Sequence, residues 1–177
     1  NSIRSNYNAI TKEAATTNVL FNDSFEDSNL VMWENQGNST VITDPGKARS
    51  GNKSLRVGTG AGGRRQWTTV SEEDGYFVPG ETYQLSAYGR MTGAGDTAYV
   101  GVKCYDTAFN LIPGADFKMT YQNETAYMRK VVSFTIPSNT KVLETYVTKN
   151  SGTRYFFADD IRLVNELVND PGFELGL

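Results

Sequence analysis

From Val19 onward, apolar residues recur at every second position rather than every third or fourth. That is the period of extended strands with one buried face. K-S-L-R-V alternates at Leu55 and Val57, and T-Y-Q-L-S-A-Y-G-R sets Tyr83, Leu85 and Ala87 against Gln84, Ser86, Tyr88 and Arg90. T-A-Y-V-G-V-K-C-Y-D turns Ala98, Val100, Val102 and Cys104 inward and Tyr99, Lys103 and Tyr105 outward. K-V-V-S-F-T-I-P alternates at Val132, Phe134 and Ile136 until Pro137 stops it, and R-Y-F-F-A-D-D-I-R-L-V places Phe157, Ile161 and Leu163 on one side. Between these runs lie D-P-G-K, R-S-G-N-K, V-P-G-E and T-G-A-G-D, all turn chemistry. Many short strands without a helical stripe predict an all-β protein, an antiparallel β-sandwich of the jelly-roll kind.

Residues 1–18 are polar and without a sustained apolar stripe, so they read as a linker or the tail of a preceding module. The sandwich is expected over residues 19–164. The phrase V-L-F-N-D-S-F-E-D near the start returns as L-V-N-D-P-G-F-E-L at the end. Residues 165–177 therefore read as the opening of a following, similar module, and the sequence as one copy from a tandem array.

Composition removes several chemistries. The chain has no histidine, which eliminates Ser-His-Asp and Cys-His nucleophile pairs and every histidine metal site. Its one cysteine, Cys104, has no partner for an internal disulfide and sits in an apolar run, where an inert buried thiol is expected. With net charge −3 and 17 Lys and Arg that form no run, nucleic acid is not an expected partner. No apolar stretch approaches the roughly 18 residues that span a bilayer, so no membrane partner is expected either.

Four segments, in order, carry a resemblance. They are F-N-D-S-F-E-D with Trp33 behind it, A-R-S-G-N-K-S-L-R-V, V-P-G-E-T-Y-Q-L-S-A-Y-G-R and F-F-A-D-D-I-R-L. Together they resemble the β-sandwich carbohydrate-binding modules of bacterial polysaccharide-degrading enzymes, the group containing families 4, 9, 16 and 22. Ser24 departs from the family's opening, which usually has glycine there; the change matters only if that position needs positive φ.

The resemblance implies a structural calcium ion joining the first strand, the S-G-N-K turn and the last strand. Its ligands would be the side chains of Glu26 and Asp159 with backbone carbonyls of Ser24, Ser50, Lys53 and Asp159. Two carboxylates and a carbonyl-rich turn supply the hard oxygen donors that Ca²⁺ takes. The resemblance further implies a secreted or cell-surface bacterial protein with Trp33 in the core.

Sugar recognition needs flat apolar platforms and polar groups for the hydroxyls. The outward residues Tyr88, Arg90, Tyr99, Lys103 and Tyr105 offer both, with Gly101 expected to leave a gap for the ligand. Trp67, after a glycine-rich stretch, occupies the place of a sugar-stacking tryptophan in some related modules, and Arg65 and Gln66 flank it. Tyr121, Tyr127 and Tyr146 are further candidates for the groove's border. Arg65, Arg90 and Lys103 point to an acidic or acid-decorated glycan. The expected function is non-catalytic binding that holds a secreted enzyme at its polysaccharide. The alternative is a cell-surface spacer or adhesion domain of the same fold without sugar binding. A hydrolase would need two carboxylates flanking a cleft, whereas acidic residues such as those of S-E-E-D-G at 71–75 sit in turns.

Overall fold

The computed structural model describes residues 19–166 apart from 29, 31 and 70–76. The expected linker and the whole of the second opening phrase lie outside the described residues, as does the S-E-E-D-G turn. The strands are β1 (Val19–Asp23), β2 (Glu34–Asn35), β3 (Ser39–Thr43), β4 (Lys53–Val57), β5 (Gly62–Thr69), β6 (Thr82–Met91), β7 (Ala98–Tyr105), β8 (Leu111–Tyr121), β9 (Met128–Thr135), β10 (Val142–Lys149) and β11 (Phe156–Asn165). They form two antiparallel sheets. One runs β3-β4-β11-β6-β9 with β1 also paired to β11, and the other runs β2-β5-β10-β7-β8.

The period-two pattern becomes the core of a sandwich. Tyr83, Leu85 and Ala87 of β6 face Ala98, Val100, Val102 and Cys104 of β7, all buried in one apolar cluster. Rings bridge the two layers: Phe117 of β8 stacks 4.9 Å from Phe134 of β9, and Tyr121 of β8 lies 5.2 Å from Phe156 of β11. The Tyr121 hydroxyl crosses the sandwich to donate to the Ala87 carbonyl at 3.0 Å, giving a buried polar tip its required partner. Trp33 is 4% exposed, packs 6.2 Å from Phe25 and donates its indole N–H to Asp23 at 2.7 Å. Burial pushes the Cys104 thiol up to about 11, in keeping with an inert thiol.

β11 departs from simple alternation. A bulge lies between Asp159 and Arg162, and Asp160 adopts φ 45°. One inserted residue reverses which side faces inward. Phe156 and Ala158 therefore enter the core before the bulge, and Ile161 and Leu163 after it. Phe157, expected on the core side with Ile161, instead lies on the outer side beneath the Arg90 guanidinium at 4.8 Å. The bulge also changes the strand's partner: Phe156–Ala158 pair with β4, whereas 161–164 pair with β1. Asn165, at the expected boundary of the next module, still pairs with Tyr83, and its side chain bonds to Glu81.

The chain passes from β8 in one sheet to β9 in the other over a short link pinned by Glu124. Its carboxylate accepts the amides of Gln122 at 2.7 Å and Asn123 at 3.1 Å and pairs with Lys130 at 2.5 Å. Burial works against the charged carboxyl, but Lys130 and these amides outweigh it and hold the group down to about 2. A folded value below the unfolded one means that this contribution is complete above about pH 4.5 and is lost as pH falls toward 2. Melting curves across that range are expected to show Glu124→Gln less stable than the parent at neutral pH by about 1–2 kcal/mol, with the difference shrinking toward pH 2.

Candidate functional site

The outer face of the five-stranded sheet is built by alternation on β5, β10, β7 and β8. Register aligns Trp67, Glu144, Lys103 and Asp116 in one cross-strand row, and Glu34, Arg65, Tyr146, Gly101 and Lys118 in the next. Trp67 and Tyr105 meet edge-on at 5.5 Å although β10 runs between their strands. Phe109 joins them, 5.1 Å from Trp67 and stacked 5.2 Å from Tyr105. It sits at the tip of the β7–β8 hairpin with φ 63° and is 56% exposed. Asp106 shapes that tip by accepting the amides of Ala108 and Asn110, each at 2.9 Å. These three rings pack into one aromatic platform, half-buried at Trp67 and Tyr105 and exposed at Phe109.

Polar groups surround the platform. Arg65 grips Glu34 through two nitrogens at 2.9 and 3.1 Å, lies 4.8 Å over the Trp67 ring and reaches Glu144 at 3.7 Å. Lys103 approaches Glu144 at 3.9 Å, and the Tyr105 hydroxyl donates to it at 3.4 Å. Burial raises the Glu144 carboxyl above its ordinary value, opposed by Lys103, Arg65 and Tyr105. The Arg65 pairing holds Glu34 below the usual carboxylate range, with help from the Trp67 indole N–H. Further along, Tyr146 donates to Asp116 at 2.6 Å, while Lys118 pairs with Asp116 at 3.3 Å and lies 5.0 Å over Tyr99. Arg65, Lys103 and Lys118 are thus balanced by Glu34, Glu144 and Asp116. Flat rings edged by paired donors and acceptors suit a ligand with apolar faces and a hydroxyl rim.

Six of the residues singled out by sequence share this face: Arg65, Trp67, Tyr99, Lys103, Tyr105 and Tyr146. Gln66 does not. Strand alternation turns it inward opposite Thr145, where it is 7% exposed and its Nε2 has no partner among the described residues. Tyr88 and Arg90 lie on the far side of the sandwich, because β6 belongs to the other sheet. Tyr127 is on that side too, 5.3 Å from Arg90, and Tyr121 is core. Gly101 leaves space for Tyr146 rather than for a ligand: a Cβ there would stand 2.6 Å from the Tyr146 hydroxyl. Glu144, Asp116, Glu34 and Phe109 complete the face. For Glu144 the signal was present, since E-T-Y-V-T alternates as a strand and points it the same way as Tyr146.

Of the expected metal ligands, Glu26 and Asp159 both bind the turn at 49–53, at the corner where β1, β4 and β11 abut. Glu26 accepts the Lys53 amide at 2.8 Å and the Asn52 amide at 3.0 Å. Asp159 is fully buried; it accepts the amides of Arg49 at 2.8 Å, Ser50 at 3.3 Å and Asp160 at 2.8 Å. Burial lifts Asp159 to about 6 in spite of these bonds. Lys53 donates its ammonium to the Glu26 carbonyl at 2.8 Å. Left-handed backbone falls on Phe25, at φ 60°, and not on Ser24, so serine for glycine brings no strain. No three His, Cys, Asp or Glu side chains cluster as a metal site among the described residues.

Residues 17–153 match the carbohydrate binding domain family CBM_4_9. The chain is 29% identical over 157 residues to endo-1,4-beta-xylanase A of Thermoanaerobacterium saccharolyticum, covering 86% of this chain and 13% of that protein. It is 31% identical over 149 residues to the keratan-sulfate endo-1,4-beta-galactosidase of Sphingobacterium multivorum, covering 82% of this chain and 31% of that protein. The chain therefore spans only a minor part of either relative. Among solved structures, the C-terminal family 22 carbohydrate binding module of Clostridium thermocellum Xyn10B shares its fold, with TM-score 0.63 at 19% identity over 84% of this chain and 93% of that one. The chain belongs to the carbohydrate binding domain family and is a non-catalytic module of that family.

Proposed function

We propose that this module binds a β-1,4-linked polysaccharide along the outer face of the five-stranded sheet, outside the cell, and holds an attached polysaccharide-degrading domain at its substrate. The observation that carries this reading is the Trp67–Tyr105–Phe109 platform beside the hydrogen-bonding set of Arg65, Lys103 and Glu144. Both curated relatives are named for cleaving 1,4-β bonds, and each is far longer than the matched region. Tethering contributes effective concentration rather than chemistry. The groove's cations already pair with its own carboxylates, which favours an uncharged stretch of sugar chain over an acidic one.

We also propose a structural calcium ion at the β1–β4–β11 corner, held by Glu26, Asp159 and the carbonyls of Ser24, Ser50, Lys53 and Asp159. Asp159 supports it: it is buried, its hydrogen bonds come from amides, and no cationic side chain pairs with it among the described residues. Each ionised carboxylate has about four lone-pair sites, so the amides that Glu26 and Asp159 accept leave capacity for a hard cation. Bound there, calcium would supply positive charge to a buried acid and tie both ends of the domain together.

Two experiments test these readings. Titration with xylan and with β-1,4-galactan is expected to show Trp67→Ala and Tyr105→Ala binding about ten- to hundredfold more weakly while remaining folded. Trp33→Ala should instead lose about 3–5 kcal/mol of stability as a core truncation. Unfolding of Trp67→Ala, with binding intact in its folded fraction, would place the site elsewhere. Separately, saturating calcium is expected to stabilise the parent by about 3–4 kcal/mol when its free concentration is several hundred times the dissociation constant. Asp159→Ala should remove that gain, and identical melting in calcium and in chelator would refute the metal.

A further inference from the structure

The outer face of the six-stranded sheet carries charge of a different kind. Phe157 pairs with Arg56 on one side and Arg90 on the other, so the backbones of the two arginines flank it two strand spacings, roughly 10 Å, apart. Arg56 lies 5.1 Å over the ring of Tyr155, which is 38% exposed. In the adjoining row Tyr88 pairs with Arg129, and Arg49 lies 4.3 Å over the Tyr88 ring. Among the described residues, none of these four arginines has a carboxylate at ion-pair distance, whereas Arg65, Lys103 and Lys118 of the opposite face all do. Nearby acids are already engaged. Asp44 pairs with Lys47 at 2.8 Å, and Asp159 is buried under the amides of Arg49 and Ser50.

We propose that this face binds an anionic polysaccharide, one bearing carboxylate or sulfate groups, independently of the groove on the other sheet. A guanidinium stacked on a ring still presents N–H groups at its edge, although Arg49 gives one to the Tyr88 hydroxyl at 3.3 Å, and that planar fork matches carboxylate and sulfate oxygens. Tyr88 and Tyr155 add surfaces for the sugar rings between the charges. Spacing separates this ligand from nucleic acid. Duplex DNA carries a charge about every 1.7 Å, while these arginines stand a strand or more apart on a chain of net charge −3. A polymer with one acidic group per sugar or per few sugars fits such sparse cations.

The test measures binding of the full chain to polygalacturonate, dextran sulfate and duplex DNA at low and high salt. The parent is expected to bind at least one of the two acidic glycans, more weakly as salt rises, and to prefer it to DNA. The two glycan arms separate carboxylate from sulfate recognition. Arg56→Gln/Arg90→Gln is expected to weaken that binding about tenfold or more, with xylan binding unchanged. Because Arg90 covers Phe157, Arg49→Gln/Arg129→Gln, at two exposed positions, provides a second variant that leaves Phe157 covered. Trp67→Ala should leave acidic-glycan binding intact, so failure of the groove reading and failure of this one give different results. No binding to either glycan, equal binding to DNA, insensitivity to both arginine pairs, or loss with Trp67→Ala would each overturn the proposal.

Discussion

Two carboxylates from opposite ends of the chain grip one turn, and the architecture of the six-stranded sheet hangs on that grip. Glu26, just after β1, takes the amides of Asn52 and Lys53; Asp159, in the β11 bulge, takes those of Arg49 and Ser50. Hydrogen bonds to an ionised acceptor are roughly twice as strong as neutral ones. Here they fall where β11 exchanges β4 for β1 and the regular ladder is interrupted. Gly51 permits the approach. It adopts φ 60°, and a Cβ there would stand 2.4 Å from the Glu26 carboxyl carbon, so any side chain would push the carboxylate off the turn. The loop leading into this turn folds over the outer face, where the Lys47 carbonyl receives the Tyr127 hydroxyl at 2.6 Å. The arrangement of Arg49 and Tyr88 on that face thus depends on the same corner.

The two outer faces handle charge in opposite ways. Cations lie over rings on both faces, but on the five-stranded sheet each of Arg65, Lys103 and Lys118 also has a carboxylate beside it, so contact with a ligand there rests on stacking and shared hydrogen bonds. On the six-stranded sheet, Arg49, Arg56 and Arg90 lie on rings with no carboxylate at ion-pair distance among the described residues. A single chain can present both because strand alternation isolates each face from the other across an apolar core.

The core was legible in the sequence wherever a strand kept its period. Tyr83, Leu85 and Ala87, and likewise Ala98 through Cys104, went inward as their alternation required. Three things were not legible. Alternation says which residues point outward but not from which sheet, so Tyr88 and Arg90 were grouped with Tyr99 and Tyr105 although the sandwich separates them. A bulge leaves no mark on hydrophobicity, so Phe157 was assigned to the wrong side of β11. Phe109 reaches the platform only through a left-handed turn, a conformation that a phenylalanine rarely adopts and that no pattern around it announces. Gln66 was a different error, since its neighbours Arg65 and Trp67 on the outer face already required it to face in.

The hairpin that carries Phe109 is held by Asp106 and its own backbone, not by the core. One third of the aromatic platform is therefore modular. Insertions, deletions or a different ring in the stretch 106–110 would reshape the platform while leaving Trp67, Tyr105 and the sheet beneath them as they are. Descendants of this scaffold could diverge in ligand preference by drift in a five-residue tip, with the expensive part of the fold inherited unchanged.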